Sequence, residues 1–204
     1  VNTKQEEMWR GHFGDEYALR SPGNELSNRG FFTSVLRQNE NKRLELGSIV
    51  ELGAGVGSNL RALHWMYPGA ELAAVELNDS AAGKLPAYVD LHLGSILDWE
   101  PTKKYELAFT KGVLIHINPD HLGMAYETLH RASSRWILIA EYYNPTPVEV
   151  QYRGHEGLLF KRDFAGEMLD RHKDLKMKGY GFVWKRDPDF PQDDITWFLL
   201  EKQA

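Results

Sequence analysis

Three glycines at alternate positions, Gly53, Gly55 and Gly57, separate the apolar run Ile49-Val50-Glu51-Leu52 from an apolar-periodic segment that begins at Ser58-Asn59. A strand, a glycine turn and a helix in that order present backbone N–H groups to a ligand, because glycine lets the chain bend tightly with no side chain in the way. The same turn can also serve only to join a strand to a helix. The spacing narrows the choice of ligand. A dinucleotide loop needs Gly-x-Gly-x-x-Gly and a phosphate loop needs Gly-Lys followed by Ser or Thr, and neither is present. A second acid, Glu76, closes the apolar run Leu72-Ala73-Ala74-Val75. Glu141, His116 and His155 are the candidates for proton transfer, since a carboxylate or a neutral imidazole beside a nucleophilic nitrogen or oxygen takes its proton.

Gly53-x-Gly55-x-Gly57 preceded by Glu51 resembles motif I of the class I S-adenosylmethionine-dependent methyltransferases. The resemblance covers residues 46 to 204. It implies that Glu51, Gly53, Ala54, Gly55, Gly57, Ser58 and Asn59 face the methionine end and ribose of S-adenosylmethionine, and that Glu76, with Leu77 and Asn78 beside it, holds the two ribose hydroxyls. It places Ser95 and Ile96 against the adenine, Asp98 either on its exocyclic amine or in a turn cap, and Lys111 and Gly112 beneath the sulfonium. The segment Trp9-x-x-x-Phe13-Gly14-Asp15-Glu16-Tyr17-x-x-Arg20, together with Asn78, is similar to the methylases associated with pseudaminic acid biosynthesis. That narrower likeness leaves the acceptor open. The implied reaction is an in-line displacement by a nitrogen or oxygen, in which the protein aligns the two centres and excludes water. An Asn-Pro-Pro-Tyr-like motif, which marks amino-methylation of nucleobases, is missing after Phe109, as is the Asp of magnesium-dependent catechol methylation. Metal-independent chemistry is expected, and no histidine spacing suggests otherwise.

A chain of 204 residues, 42% hydrophobic and 26% charged, supports one well-buried core with little left for a second domain. No run approaches the roughly 20 apolar residues of a membrane span, and Val1-Asn2-Thr3-Lys4-Gln5-Glu6-Glu7 has no apolar leader core, so a cytoplasmic protein without a membrane partner is expected. The absence of cysteine excludes disulfides, thiolate nucleophiles and cysteine-ligated clusters, and with them radical use of the donor. A formal charge of -5 offers no general attraction for nucleic acid. Between Gln151 and Arg186, however, nine Lys or Arg face five Asp or Glu, which reads either as solvated surface or as a seat for an anionic substrate.

The elements that must position these groups are those of an α/β, Rossmann-like fold: a seven-stranded, mostly parallel sheet with a C-terminal antiparallel hairpin and an N-terminal helical cap over residues 1–45. Trp9, Phe13 and Tyr17 recur at i, i+4 and i+8 on a helix that must survive Gly11 and Gly14. Its aromatics either dock on the core or form a lid, from which Tyr17 and Arg20 reach the methionine carboxylate. A turn at Ser21-Pro22-Gly23-Asn24 leads to a second helix with Phe31, Phe32, Val35 and Leu36. Strands are expected to end at Leu52 and Glu76, to span Val89–Leu93 and Tyr105–Phe109, and to run over Trp136–Ala140. The helix from Ser58 carries Leu60 and Leu63 and stops at Pro68-Gly69, and Asn118-Pro119 starts another.

The fifth strand delivers Glu141, Tyr142, Tyr143 and Asn144 to the carboxyl edge of the sheet, where ligands bind in open α/β sheets. Tyr152–Phe164 reads as a basic connection, with Arg153, Lys161 and Arg162 suited to a carboxylate or phosphate. The strands Gly181–Trp184 and Ile195–Leu200 close the chain. These residues point to methylation of a small anionic metabolite, an amino-sugar or sugar-nucleotide intermediate. The alternatives are an RNA or protein methyltransferase, which the charge and the lack of an extra domain disfavour, and a silent binding module, which the intact Glu51, glycines and Glu76 disfavour.

Overall fold

The computed structural model describes residues 2–20, 23–39 and 42–203. Two short helices open the chain, α1 (Lys4–Arg10) and α2 (His12–Arg20), and α3 (Glu25–Val35) follows. Thr3 starts α1 with a reciprocal cap: its side chain accepts from the Glu6 N–H while the Glu6 carboxylate accepts from the Thr3 N–H. The single aromatic helix expected here is broken at Gly11, where the backbone is extended. The stripe survives the break, because the Trp9 ring still meets Phe13 and Tyr17 edge-on at 5.2 Å each. Part of the turn expected at Ser21-Pro22-Gly23-Asn24 lies outside the described residues.

A small ribbon, β1 (Arg37–Asn39) with β2 (Lys42–Arg43), precedes the main series. That series runs β3 (Ser48–Leu52), α4 (Ser58–Met66), β4 (Glu71–Glu76), α5 (Asp79–Ala82), β5 (Val89–Leu93), β6 (Tyr105–Lys111), α6 (Leu122–Ala132) and β7 (Ser133–Glu141). The Asn118 side chain accepts from the Asp120 N–H and starts a 3₁₀ turn that runs into α6. Then come the pair β8 (Val148–Tyr152) and β9 (His155–Lys161), α7 (Phe164–Arg171), β10 (Leu175–Val183) and β11 (Ile195–Lys202). The segment read from sequence as a plain connection is therefore largely a β-hairpin, in which Val150 faces Leu159. Its apolar side, Leu158 and Leu159, is buried, while the basic residues occupy the tip and end.

Seven strands form one sheet in the order β10-β11-β7-β6-β3-β4-β5. β11 is antiparallel to both of its neighbours and the remaining pairs are parallel. The expected seven-stranded, mostly parallel sheet with its closing antiparallel hairpin is thus present. Its central strands are apolar on both faces because helices cover both. Successive residues alternate between two cores: Val50, Ala108, Ile137 and Ile139 pack with Tyr126, Leu129 and Met168 of α6 and α7. Ile49, Phe109 and Leu138 pack with Phe32, Leu60 and Leu63 of α3 and α4. The helix α3 thereby belongs to a covering layer of the sheet, whereas α1 and α2 lie over its carboxyl edge. Because β11 runs backwards, the loop that leads into it arrives at that same edge.

Candidate functional site

A cavity of about 730 Å³ opens at the carboxyl edge of the sheet. Its floor is the glycine turn, β4's end, the Ser95 turn and β6's end. Its roof is drawn from three separate segments: α1 and α2 with Gln5, Glu6, Trp9 and Tyr17, the β8–β9 tip with Tyr152 and Arg153, and the loop into β11 with Lys185, Gln192 and Asp193.

The glycines divide the work. A Cβ on Gly53 would lie 2.7 Å from Val113 Cγ2, so its absence lets the turn lie against the loop after β6. Gly55, at φ 54°, has open space where a Cβ would stand and donates its N–H to Glu76 Oε2 at 2.6 Å. Gly57 does not line the cavity; it supplies the left-handed entry to α4 and packs against Leu85.

Two acids stand along the floor. Glu76 is 8% exposed, and its other oxygen accepts from the Asn78 N–H at 2.8 Å. Burial pushes its pKa up, and the backbone N–H groups oppose that shift. Glu51 is fully buried, with Oε1 accepting from Asn59 Nδ2 at 2.6 Å. Burial raises its pKa to about 8. Glu51 Oε2 and Asn59 Oδ1 have no hydrogen-bond partner among the described residues. Two buried acceptors without a donor are costly, and either a proton held on Glu51 or a ligand donor relieves that cost. Near them, burial lowers the pKa of Lys111 while the charges of Glu51, Asp193 and Glu141 oppose the change.

The remaining expectations divide. Tyr17, Ala54, Ser58, Leu77, Asn78, Ser95, Ile96 and Gly112 line the cavity with the residues above. Arg20 does not: it is half-exposed and pairs with Glu16 at 3.6 Å. Asp98 is exposed and also lies outside. The Asn78 side chain caps α5 at Ala81 and donates to the carbonyls of Trp9 and Arg10 and to Asp15, so it straps the cap to the sheet. The Ser95 hydroxyl donates to Glu6 of α1, which ties the cap down at a second point. Gln5 Nε2 makes a third tie, to the Gly157 carbonyl at 2.7 Å.

Of the proton-transfer candidates, only His116 reaches the cavity. It is 9% exposed, and its Nδ1 lies 2.7 Å from the Leu158 carbonyl, which accepts only. Nδ1 therefore carries the proton and Nε2 the lone pair. Burial lowers its pKa to about 4, so the ring is neutral, held between Trp9 at 4.7 Å and Tyr152 at 4.9 Å. His155 is exposed at the hairpin tip, with only the Phe13 ring near it at 5.9 Å.

Glu141, one of the three proton-transfer candidates, faces the protein interior instead. Its carboxylate accepts from the N–H groups of Val113 at 3.0 Å, Leu114 at 3.1 Å and Ile115 at 3.4 Å. Its pKa is pushed up to about 7 by burial and restrained by those donors. It shapes the loop after β6 and touches no substrate space. Glu141→Gln sets an amide NH₂ against a backbone N–H and is expected to cost about 2 kcal/mol, read as a melting temperature lower by about 4–8 °C. An unchanged melting temperature with lost turnover would restore the role of base.

Of the residues expected on the acceptor side, Tyr142 lines the cavity, and burial together with the charge of Asp193 pushes its hydroxyl pKa up. Arg153 also lines it, 6.0 Å over the Tyr17 ring and 5.6 Å over the Tyr152 ring. Tyr143 is 41% exposed and Asn144 closes its own loop on Thr146, so neither faces the cavity. Lys161 lies over the outer part of Tyr142 at 5.4 Å, and Arg162 is bound to Glu167 at 2.6 Å. Two of the three basic residues expected around the substrate are thus outside the site. Sequence reading missed Tyr152, Gln192 and Asp193, whereas Trp9 stood among the aromatics expected either to dock on the core or to form a lid; for the missed residues the available signal was the reversed direction of the last strand.

No protein-family model matches the chain, and no curated protein matches it. Solved structures do share its fold. A Burkholderia thailandensis 1,6-didemethyltoxoflavin-N1-methyltransferase, bound to 1,6-didemethyltoxoflavin and S-adenosylhomocysteine, is 13% identical with a TM-score of 0.65, covering 94% of this chain and 83% of that one. The plantazolicin methyltransferase BpumL with S-adenosylhomocysteine is 14% identical with a TM-score of 0.67, covering 98% and 94%. Streptomyces venezuelae DesVI is 12% identical with a TM-score of 0.63 over 100% of both chains. The chain has the Rossmann-like fold of these proteins.

Proposed function

We propose that the protein is an S-adenosylmethionine-dependent methyltransferase that methylates nitrogen or oxygen of a small molecule. The observation that carries this reading is the pair of donorless buried acceptors, Glu51 Oε2 and Asn59 Oδ1, on the wall of a cavity whose floor also holds Glu76. An ammonium fits the first pair, and vicinal hydroxyls fit the lone pairs left on Glu76. Ile96 supplies an apolar wall for a purine. An amino-acid end, a ribose and a base are the parts of S-adenosylmethionine, which supplies an activated methyl group. The fold shared with methyltransferase structures supports the same reading.

The chain's own residues orient and enclose. Glu51 and Asn59 would hold the ammonium, Glu76 the ribose, and Gly55 and Gly112 let the backbone come close without side chains. Trp9, Tyr17 and Tyr152 exclude water from above. His116 Nε2 would accept a hydrogen bond from the acceptor N–H or O–H and so aim its lone pair, while Asp193 with Tyr142 would hold an amine or hydroxyl beside it. Arg153 and Lys185 at the rim would meet an anionic portion. An amino-sugar or sugar-nucleotide intermediate satisfies both halves of this acceptor space, in keeping with the sequence likeness to methylases of pseudaminic acid biosynthesis.

Calorimetry with S-adenosylmethionine and S-adenosylhomocysteine tests the reading, and absence of binding by both would refute it. A pH series adds a sharper check. Glu51 must be ionised to hold an ammonium, yet its carboxyl has a pKa of about 8, so binding at pH 7 expels its proton. Donor affinity is expected to rise about tenfold per pH unit from 6 towards 8 and then level off. In Glu51→Gln the slope should vanish and the affinity at pH 8 should drop by about 10- to 100-fold. A slope retained in that variant would assign the proton to another group.

A further inference from the structure

At the opposite edge of the sheet from the cavity, two imidazoles and two carboxylates meet. His130 lies in the last turn of α6, His172 caps the C-terminus of α7, and Asp174 stands just before β10. One nitrogen or oxygen from each of the three lies within 4.8 Å of the others. His130 Nε2 is 2.9 Å from Asp174 Oδ2, and the two imidazole rings stack at 4.0 Å. Glu127 Oε1 is 3.6 Å from His172 Nε2.

His172 is 8% exposed, and its Nε2 has no hydrogen-bond partner among the described residues. A buried imidazole nitrogen without a partner is unfavourable, and here its neighbours are a second imidazole and two carboxylates rather than donors. Two positive groups whose charges act here have partners of their own: Lys202 Nζ donates to the carbonyls of His130 and Ser133, and the Arg171 guanidinium lies against Gly123.

We propose that His130, His172 and Asp174 form a binding site for a divalent transition-metal ion of the zinc type, with Glu127 next to His172 at its margin. Two nitrogens with carboxylate oxygens are a zinc donor set, and a tetrahedron with bonds of about 2.0–2.1 Å separates its ligands by about 3.3 Å. The existing separations bracket that value. Parallel rings do not aim both lone pairs at one point, so binding tilts the His172 ring away from the stack. The ion joins the end of α6 to the short link between α7 and β10, two segments distant in sequence. Its place at the far edge from the cavity makes it a clamp on the fold, with no part in methyl transfer.

The test is titration of zinc chloride into the chelator-treated full chain, followed by calorimetry and thermal melting. One ion per chain is expected at micromolar affinity or better, with the melting temperature raised by about 5 °C at an excess of about 100-fold over Kd. His172→Phe, which keeps a stacking ring but removes both nitrogens, and His130→Phe should each weaken binding at least tenfold. His64→Ala, at a histidine stacked on Tyr88 away from this cluster, should leave it unchanged. No binding at 100 µM zinc, or equal affinity in His172→Phe, would overturn the proposal. Donor affinity should be the same with and without zinc; coupling between them would contradict the clamp role.

Discussion

Glu76→Ala is expected to weaken S-adenosylmethionine binding at least 100-fold. Both oxygens of Glu76 accept from backbone N–H groups, of Gly55 and Asn78, and a carboxylate oxygen can accept more than one hydrogen bond. Charge-assisted hydrogen bonds to two hydroxyls contribute about 1.5–3 kcal/mol each, and a factor of 100 is about 2.7 kcal/mol. The variant also removes the acceptor for Gly55, so the glycine turn loses its tie to β4. Glu76→Gln separates these effects: it keeps one acceptor and should lose about tenfold. Calorimetry reads both, and intact affinity in Glu76→Ala would refute the ribose assignment.

The second large effect is expected at His116. His116→Phe keeps a ring between Trp9 and Tyr152 but removes the Nε2 lone pair, so kcat should fall about 100-fold, at the lower end of the range for proton-handling groups. Donor affinity should stay within about twofold, because the ring faces the acceptor end of the cavity. The imidazole has a pKa of about 4 and is neutral above about pH 5, so its own titration leaves no mark on the rate between pH 6 and 8. A ring that is hard to protonate is a weak base, which is why its assigned role is to aim the acceptor, while Asp193 lines the same cavity. A kcat unchanged in His116→Phe would reduce His116 to packing.

The two assignments separate the donor from the acceptor. Loss of donor affinity in Glu76→Ala with an unchanged His116→Phe would leave a donor site and overturn the acceptor site. The reverse outcome would place the chemistry correctly and the ribose wrongly.

Much of the donor side was legible in the sequence because it is local. A buried strand, a glycine turn and a helix lie within Ile49–Asn59, and the acid at the end of the next strand follows from the same period. Strand direction then carries both acids to one edge of the sheet. The acceptor side was not legible in the same way. Glu141 sits at a strand end exactly as Glu76 does, yet its carboxylate turns to three backbone N–H groups of the neighbouring loop. Sequence position does not say which way a side chain leaves the strand end, or which donors wait there. The basic excess after Gln151 was real, but a hairpin buried its apolar face, and Arg162 turned to Glu167 while Lys161 lay over the Tyr142 ring.

By itself, then, the sequence determined the mostly parallel sheet, its covering helices and the grouping of the glycine turn with Glu51 and Glu76, since each depends on periodicity and on neighbours a few residues away. Only the tertiary structure decided what roofs the cavity. Trp9, Tyr152 and Asp193 are far apart in the chain and meet because the cap is tied through Asn78 and Ser95, and because β11 runs against its neighbours. The same holds for His130 and His172, whose spacing resembles no metal motif and whose rings stack at 4.0 Å once α6 and α7 pack on one face of the sheet. Side-chain chemistry is written residue by residue, but which groups share a site is set by long-range packing.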